Sequence, residues 1–141
     1  MKTLFVLIVS GVLASILSCP VAMAFPPMPD DVQIVQPDPS LPKELLAFFG
    51  KWEGSSASVR YAVIVEKIDE EKASIYRYKT ALGGEPAGWQ RYEAKVAKER
   101  GKYILWYTER FGTAELTVKG QYLSFTGIDP NGGSVRFSRV P

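Results

Sequence analysis

The chain has 141 residues, of which 46% are hydrophobic, and carries 17 basic and 15 acidic side chains, no histidine and one cysteine. This balance is typical of one ordinary globular domain and argues against a strongly basic nucleic-acid-binding protein. Without histidine the chain has no Ser-His-Asp triad, no imidazole base and no imidazole zinc ligand. Most familiar hydrolase mechanisms therefore lack their central residue.

The N-terminus has the features of a secretory signal peptide. Lys2 precedes an apolar run over residues 4–17 that is too short to span a membrane comfortably, and residues 22–24 (Ala-Met-Ala) form a small-x-small cleavage signal. We predict a signal peptide over residues 1–24 and no stable membrane span after cleavage, hence a periplasmic or secreted protein. Two alternatives stay open: an uncleaved membrane anchor, and a lipoprotein modified at Cys19, which follows a degenerate lipobox.

Residues 25–42 hold six of the ten prolines. Proline fixes φ and removes a backbone donor, so this composition predicts an extended, proline-rich leader, and a plain linker is the favoured interpretation. Val32, Ile34 and Val35 offer an alternative, in which part of the leader lies along the surface of the domain.

A short helix is predicted next, with the Ser40 hydroxyl at the N-cap, Pro42 in the first turn and Gly50 as the stop. Such a helix has two turns and is too short to be stable alone. Leu45, Leu46 and Phe49 are therefore expected to pack on the strands that follow.

From Lys51 onward the hydrophobic period changes to two, with turn signals about every ten residues. No connection is long enough for a crossover helix, which indicates an antiparallel meander. We predict an all-β fold, an eight-stranded up-and-down barrel over residues 43–141 preceded by the short helix, in preference to a sandwich, because closure removes exposed strand edges. The predicted strands are 51–57, 59–68, 73–80, 89–97, 102–108, 113–119, 121–128 and 134–140.

Residues 48–54 (Phe-Phe-Gly-Lys-Trp-Glu-Gly) join the short helix to a Gly-x-Trp at the start of the first strand. This resembles the entry motif of lipocalin and calycin barrels. The patterns at 63–66, 73–78, 88–91 and 139–141 are similar to small, mostly uncharacterised bacterial secreted proteins of lipocalin-like fold. The resemblance implies binding or carriage of small apolar molecules, but it transfers no ligand residue to this chain.

Trp52 follows the helix, where an indole can plug the closed end of a barrel and receive a cation from the last strand. Arg139 and Arg136 are the available cations, and we predict a structural plug formed by Trp52 and Arg139.

Tyrosines are frequent within the predicted strands. We predict that Tyr76, Tyr78 and Tyr92 point into the barrel and line a ligand site, with Arg77 and Lys79 pointing outward. A filled core with hydroxyls at the rim is the alternative, because eight strands enclose only a narrow interior.

The fifth strand is apolar on both faces. If Tyr103, Leu105 and Tyr107 point inward, then Ile104 and Trp106 form an outward interaction face that something should cover. The leader, a second copy of the chain or a different envelope protein could cover it.

The sequence thus predicts an exported barrel that binds a small apolar or aromatic molecule in the cell envelope. A non-catalytic protein-interaction module using the face of the fifth strand is the alternative, and a weak carboxylate hydrolase comes third. No cofactor, metal, nucleic acid or enzymatic activity is predicted.

Overall fold

The computed structural model describes residues 27–57, 59–81, 86–110, 112–127 and 133–141. The predicted signal peptide and Cys19 lie outside the described residues, as does most of the loop over residues 82–88. Within the described part of the chain, no helix is long and apolar enough to cross a membrane.

The described chain forms one short helix and eight strands. Each strand pairs antiparallel with the next, and the last pairs with the first, so the sheet closes into an up-and-down barrel. The predicted fold class is confirmed, although the helix lies between the leader and the barrel and not at the N-terminus of the chain. The elements are α1 (Lys43–Leu46), β1 (Gly50–Ser56), β2 (Val59–Ile68), β3 (Lys72–Lys79), β4 (Gly88–Glu99), β5 (Lys102–Glu109), β6 (Gly112–Lys119), β7 (Tyr122–Thr126) and β8 (Ser134–Val140).

Alternate residues of every strand point inward and fill the barrel with a single apolar cluster, to which α1 adds Leu45. Leu105 and Leu116 are paired across β5 and β6, and both are fully buried. The middle of the barrel is therefore a packed core and offers no room for a large ligand.

The end of the barrel beside α1 is closed by Trp52 and Arg139. The Trp52 indole is buried and donates to the carbonyl of Phe48 at 2.9 Å. The Arg139 guanidinium lies 4.2 Å from the Trp52 ring centroid and donates to the carbonyls of Ala47 and Phe49. These three carbonyls follow α1, so the two side chains satisfy acceptors that the helix leaves open.

The Gly-x-Trp motif has a physical reason at this end. Gly50 has a φ of +115°, and a Cβ atom there would lie 2.8 Å from Nη1 of Arg139. Glycine at this position therefore makes room for the guanidinium that covers Trp52.

The helix is shorter than predicted, and the predicted cap at Ser40 is wrong. The N-cap of α1 is Pro42, which has no side-chain hydrogen bond, while the backbone N–H of Ser40 donates to the Asp38 carboxylate at 2.8 Å. The backbone stays in a short turn beyond Leu46 and then enters β1.

The inward and outward faces of β3 are the reverse of the prediction. Ile75 belongs to the core cluster, and strand alternation then turns Arg77 inward and Tyr76 and Tyr78 outward. The register irregularity in this region lies in β2 at Glu66, between Val65 and Lys67, and leaves the alternation of β3 intact.

Candidate functional site

The end of the barrel opposite α1 contains an ion pair between a buried guanidinium and a partly buried carboxylate. Arg77 of β3 is 4% exposed and contacts the Glu109 carboxylate of β5 through Nη1. Burying the Arg77 charge without a partner would be strongly unfavourable, so Arg77 requires Glu109. Glu109 lies 32 positions further along the chain, and barrel closure brings the two together.

Aromatic rings surround this ion pair. The rings of Tyr92 and Tyr107 lie 4.8 Å apart, and the Arg77 guanidinium is 5.4 Å from the Tyr92 centroid and 5.7 Å from that of Phe125. Such distances allow cation–π attraction to the buried Arg77 guanidinium.

Two hydrogen-bond donors in this cluster lack a partner within the described residues. Nη2 of Arg77 donates to the Tyr92 hydroxyl at 3.3 Å, and that hydroxyl donates to Gln90. Nε of Arg77 and the Tyr107 hydroxyl are buried and make no hydrogen bond, and the same holds for the acceptor Oε1 of Glu109, which contacts Nη1 of Arg77. Buried polar groups in native proteins are nearly always satisfied, so these three atoms mark the cluster as incomplete.

The electrostatics keep both donors protonated at neutral pH. Burial raises the pKa of the Tyr107 hydroxyl. The positive charge of Arg77 lowers this pKa and the negative charge of Glu109 raises it, and the net shift is upward. Burial alone would lower the pKa of Arg77, but the neighbouring Tyr107 and Glu109 raise it. Lys79 lies one strand repeat from Arg77, and burial together with the Arg77 charge lowers the pKa of its ammonium group.

A cavity of about 310 Å³ opens above the cluster. Arg77, Tyr92 and Glu109 line it from below, and Lys79 and Gln90 line it near the rim. This volume suits a small molecule and lies at the lower end of the usual range for ligand pockets, about 300–1,000 Å³.

Of the three tyrosines predicted to bind a ligand, only Tyr92 belongs to this site. Tyr76 and Tyr78 lie on the outer wall, where their rings contact Trp89 at centroid distances of 5.6 and 5.4 Å. They cannot line the barrel interior as predicted. The missed residues are Arg77, Tyr107 and Glu109. The apolar Ala73 and Ile75, four and two residues before Arg77, are the sequence signal that could have located the first of them.

The predicted interaction face on β5 points outward but is only partly accessible. Leu105 and Tyr107 are in the core, so Ile104 and Trp106 are on the outer surface, as strand alternation predicts. Ile104 is nonetheless 7% exposed and Trp106 is half-buried within a single chain.

The leader is fastened to the outer wall and is not a plain linker. The buried Glu66 carboxylate accepts from the Gln33 backbone at 3.0 Å, from the Ser74 hydroxyl at 2.8 Å and from Nε of Arg91 at 3.0 Å. Arg91 also forms an ion pair with Asp31 of the leader at 3.3 Å. Burial would raise the pKa of the Glu66 carboxyl, but these hydrogen bonds, led by the one from Arg91, lower it.

In the described part of the chain, no three acidic or cysteine side chains come together to hold a metal ion. Comparison of the chain with family models, with curated proteins and with solved structures gave no match. The eight-stranded barrel is consistent with a lipocalin-like fold.

Proposed function

We propose that the protein is an exported, lipocalin-like binding protein that takes a small apolar or aromatic molecule at the open end of its barrel. The observation that carries this proposal is the cluster of Arg77, Glu109, Tyr92 and Tyr107 next to the cavity, in which Arg77 and Tyr107 are buried. Each unsatisfied buried donor disfavours the folded state by about 1–3 kcal/mol. A ligand that accepts these hydrogen bonds would remove that penalty when it binds.

The surroundings of the cluster support a ligand with an apolar body. Trp89 and Tyr92 line the cavity together with the charged residues Arg77, Lys79, Glu109 and Arg110, so the site combines aromatic residues with charged groups. The filled core below limits the ligand to a small molecule. Nothing in this geometry resembles a catalytic pair of carboxylates, and we propose binding without catalysis.

Binding is tested by titration with an apolar fluorescent probe and by native mass spectrometry of the protein recovered from its own host. Tyr92→Phe removes one hydroxyl of the cluster and should weaken probe binding about fivefold, which corresponds to one net hydrogen bond. Tyr122→Phe is the matched control, because Tyr122 lies on the outer surface of β7 and is 44% exposed. A wild-type protein that neither captures a probe nor retains a small molecule would refute the proposed function.

Export rests on the sequence of residues 1–24. The intact mass of the protein recovered from its host should correspond to a chain that starts at Phe25 and carries no acyl group. A mass that corresponds to a lipidated chain starting at Cys19 would instead establish a membrane-anchored lipoprotein.

The alternative proposal is a non-catalytic interaction module that uses Ile104 and Trp106. Its supporting observation is that Trp106 remains partly exposed on the outer wall of β5. Sedimentation of the wild-type protein and of Trp106→Ser separates the two proposals, since the alternative requires self-association or a partner complex that this substitution abolishes.

A further inference from the structure

Two basic side chains at the end of β3 face the cavity at the open end of the barrel. Ile75 belongs to the core, and strand alternation turns Arg77 and then Lys79 toward the same interior face. Both residues line the cavity of about 310 Å³. Lys79 is half-buried and is the last residue of β3, so it lies about 7 Å along the strand beyond Arg77, toward the rim.

The lining of this cavity carries more positive than negative charge. Among the described residues that line it, Arg77, Lys79 and Arg110 are basic, and Glu109 is the only carboxylate. The Glu109 carboxylate is in direct contact with the Arg77 guanidinium, so these two charges compensate each other. The surplus of positive charge therefore lies toward the rim, on the half-buried Lys79 and the exposed Arg110.

The surroundings of Lys79 disfavour its charged form. Burial lowers the pKa of the ammonium group, the Arg77 charge lowers it further, and the Glu109 carboxylate opposes this only in part. A negative charge placed beside Lys79 would offset both effects, because an opposite charge at short range favours the protonated amine. The cavity thus offers a favourable position for an anionic group next to this lysine.

Space for such a group lies directly opposite Lys79. The lysine is paired with Gly88 across β3 and β4, and residues paired in this way project from the same face of the sheet. Gly88 lines the cavity, and a Cβ atom there would have no neighbour within 4 Å. The missing side chain therefore leaves room beside the ammonium group.

Aromatic residues border the same cavity. Tyr92 packs against the core cluster from β4, and Trp89 lies at the rim, where its ring contacts Tyr76 and Tyr78. A ligand with its charged group beside Lys79 thus has aromatic side chains within the same cavity for its apolar body.

We propose that the cavity at the open end binds a small aromatic molecule with a single negative charge, whose charged group lies beside Lys79 in the space opposite Gly88. The ring of the ligand lies against Tyr92 and Trp89. This inference rests on the proposed binding function and adds the charge of the ligand and the residue that recognises it. A single charge fits the site, because Lys79 is the one partly buried cation of the described lining that Glu109 does not contact.

The charge of the ligand is tested with two fluorescent compounds of the same shape. 2-Naphthoate carries a carboxylate, and 2-naphthamide carries a neutral amide in its place. In fluorescence titrations at neutral pH and low ionic strength, the wild-type protein should bind the naphthoate about tenfold more tightly or better, the expected effect of a hydrogen bond to a charged group. Added salt should reduce this preference, because it screens the partly exposed charges.

The role of Lys79 is tested by substitution. Lys79→Met keeps the length of the side chain and removes its charge, so it should weaken naphthoate binding at least tenfold and leave naphthamide binding unchanged. Lys79→Arg should retain the preference for the naphthoate. Lys119→Met is the matched control, because Lys119 is exposed at the end of β6 that lies away from Gly112, the partner of Glu109. It should bind both compounds like the wild type.

The position of the ligand is tested by filling the space opposite Lys79. Gly88→Leu places a bulky side chain in the cavity and should weaken binding of both compounds at least tenfold. Urea unfolding of the same variant should show wild-type stability, since the position is open and no neighbour has to move.

Two results would overturn the anion site while leaving the proposed function intact. The first is equal binding of the naphthoate and the naphthamide by the wild type, and the second is naphthoate binding that Lys79→Met does not change. Undiminished binding by Gly88→Leu would overturn the position of the ligand. A wild type that binds neither compound would also overturn this inference, whereas the proposed function fails only if the protein captures no apolar probe and retains no small molecule from its host.

Discussion

The Tyr107 hydroxyl allows a sharp test of whether the open end is incomplete without a ligand. Tyr107 is 3% exposed, its ring packs against Tyr92 at 4.8 Å and Phe125 at 6.5 Å, and its hydroxyl makes no hydrogen bond within the described residues. Tyr107→Phe keeps the ring contacts and removes only the hydroxyl. Without ligand, the variant should therefore be more stable than the wild type.

The expected gain follows from the penalty for an unsatisfied buried hydroxyl, about 1–3 kcal/mol. Attraction between this hydroxyl and the nearby Glu109 carboxylate offsets part of that penalty, so we expect a net gain of about 1–2 kcal/mol. For a domain of this size, such a gain raises the melting temperature by about 4–8 °C. The difference should widen above about pH 10, where the unfolded tyrosine ionises, because burial raises the pKa of Tyr107 in the folded protein.

Thermal and urea unfolding of the ligand-free protein, followed by circular dichroism, measures this difference. Tyr122→Phe on the outer surface should stay within about 0.5 kcal/mol of the wild type. If Tyr107→Phe proved less stable than the wild type by 1 kcal/mol or more, the hydroxyl would be a satisfied donor, and the argument that a ligand completes the cluster would fail.

Three further predictions concern the rest of the barrel. Trp52→Ala should lower the free energy of unfolding by about 3–5 kcal/mol in urea, because the indole fills the closed end; near-wild-type stability would contradict its role as a plug. Gly54→Ala should lower the free energy of unfolding by about 1–3 kcal/mol, since a Cβ atom would lie 2.5 Å from the Arg136 carbonyl oxygen. Gly88→Ala is the control and should not lower it, because a Cβ atom there has no neighbour within 4 Å. Equal losses of stability in the two variants would refute the steric argument. The lowered pKa of Glu66 adds stability that is fully present above its unfolded pKa of about 4.3 and is lost as the pH falls through the folded pKa. The free energy of unfolding of Glu66→Gln should therefore lack this dependence on acid pH. Identical pH dependence of unfolding in the wild type and in Glu66→Gln would rule out this contribution of Glu66.

The barrel could be predicted because its signals are local. Period-two alternation and the turns between strands are visible within windows of ten residues, and every predicted strand ends within two residues of its observed bounds. Closure of the meander into a barrel could be predicted because exposed strand edges are unfavourable, and this prediction required no knowledge of side-chain contacts.

The site was harder to predict because its determinants are far apart. Arg77 lies between two tyrosines in the sequence, and a charged residue in such a pattern is most simply assigned to the solvent-facing side of a strand. This assumption led to the wrong prediction of which β3 side chains point into the barrel. Arg77 is buried only because Glu109, on another strand, neutralises it. The fastened leader has the same origin: Glu66 binds Gln33 and Arg91, which lie 33 and 25 positions away. Local sequence patterns do not indicate such contacts between residues that are far apart in the chain.

The pairing of β1 with β8 has a consequence for folding kinetics. All other neighbouring strands are consecutive in the chain and can form as hairpins, but this pairing joins Lys51 to Val140 and encloses the whole barrel in one loop. The conformational entropy lost on closing so long a loop must be offset by contacts along one short ladder. We therefore expect the meander of hairpins to form early and the β1–β8 ladder to form in the rate-limiting step. Substitutions at Gly54 should then slow folding as well as destabilise the product, whereas substitutions confined to the hairpin turns should act mainly on the rate of unfolding.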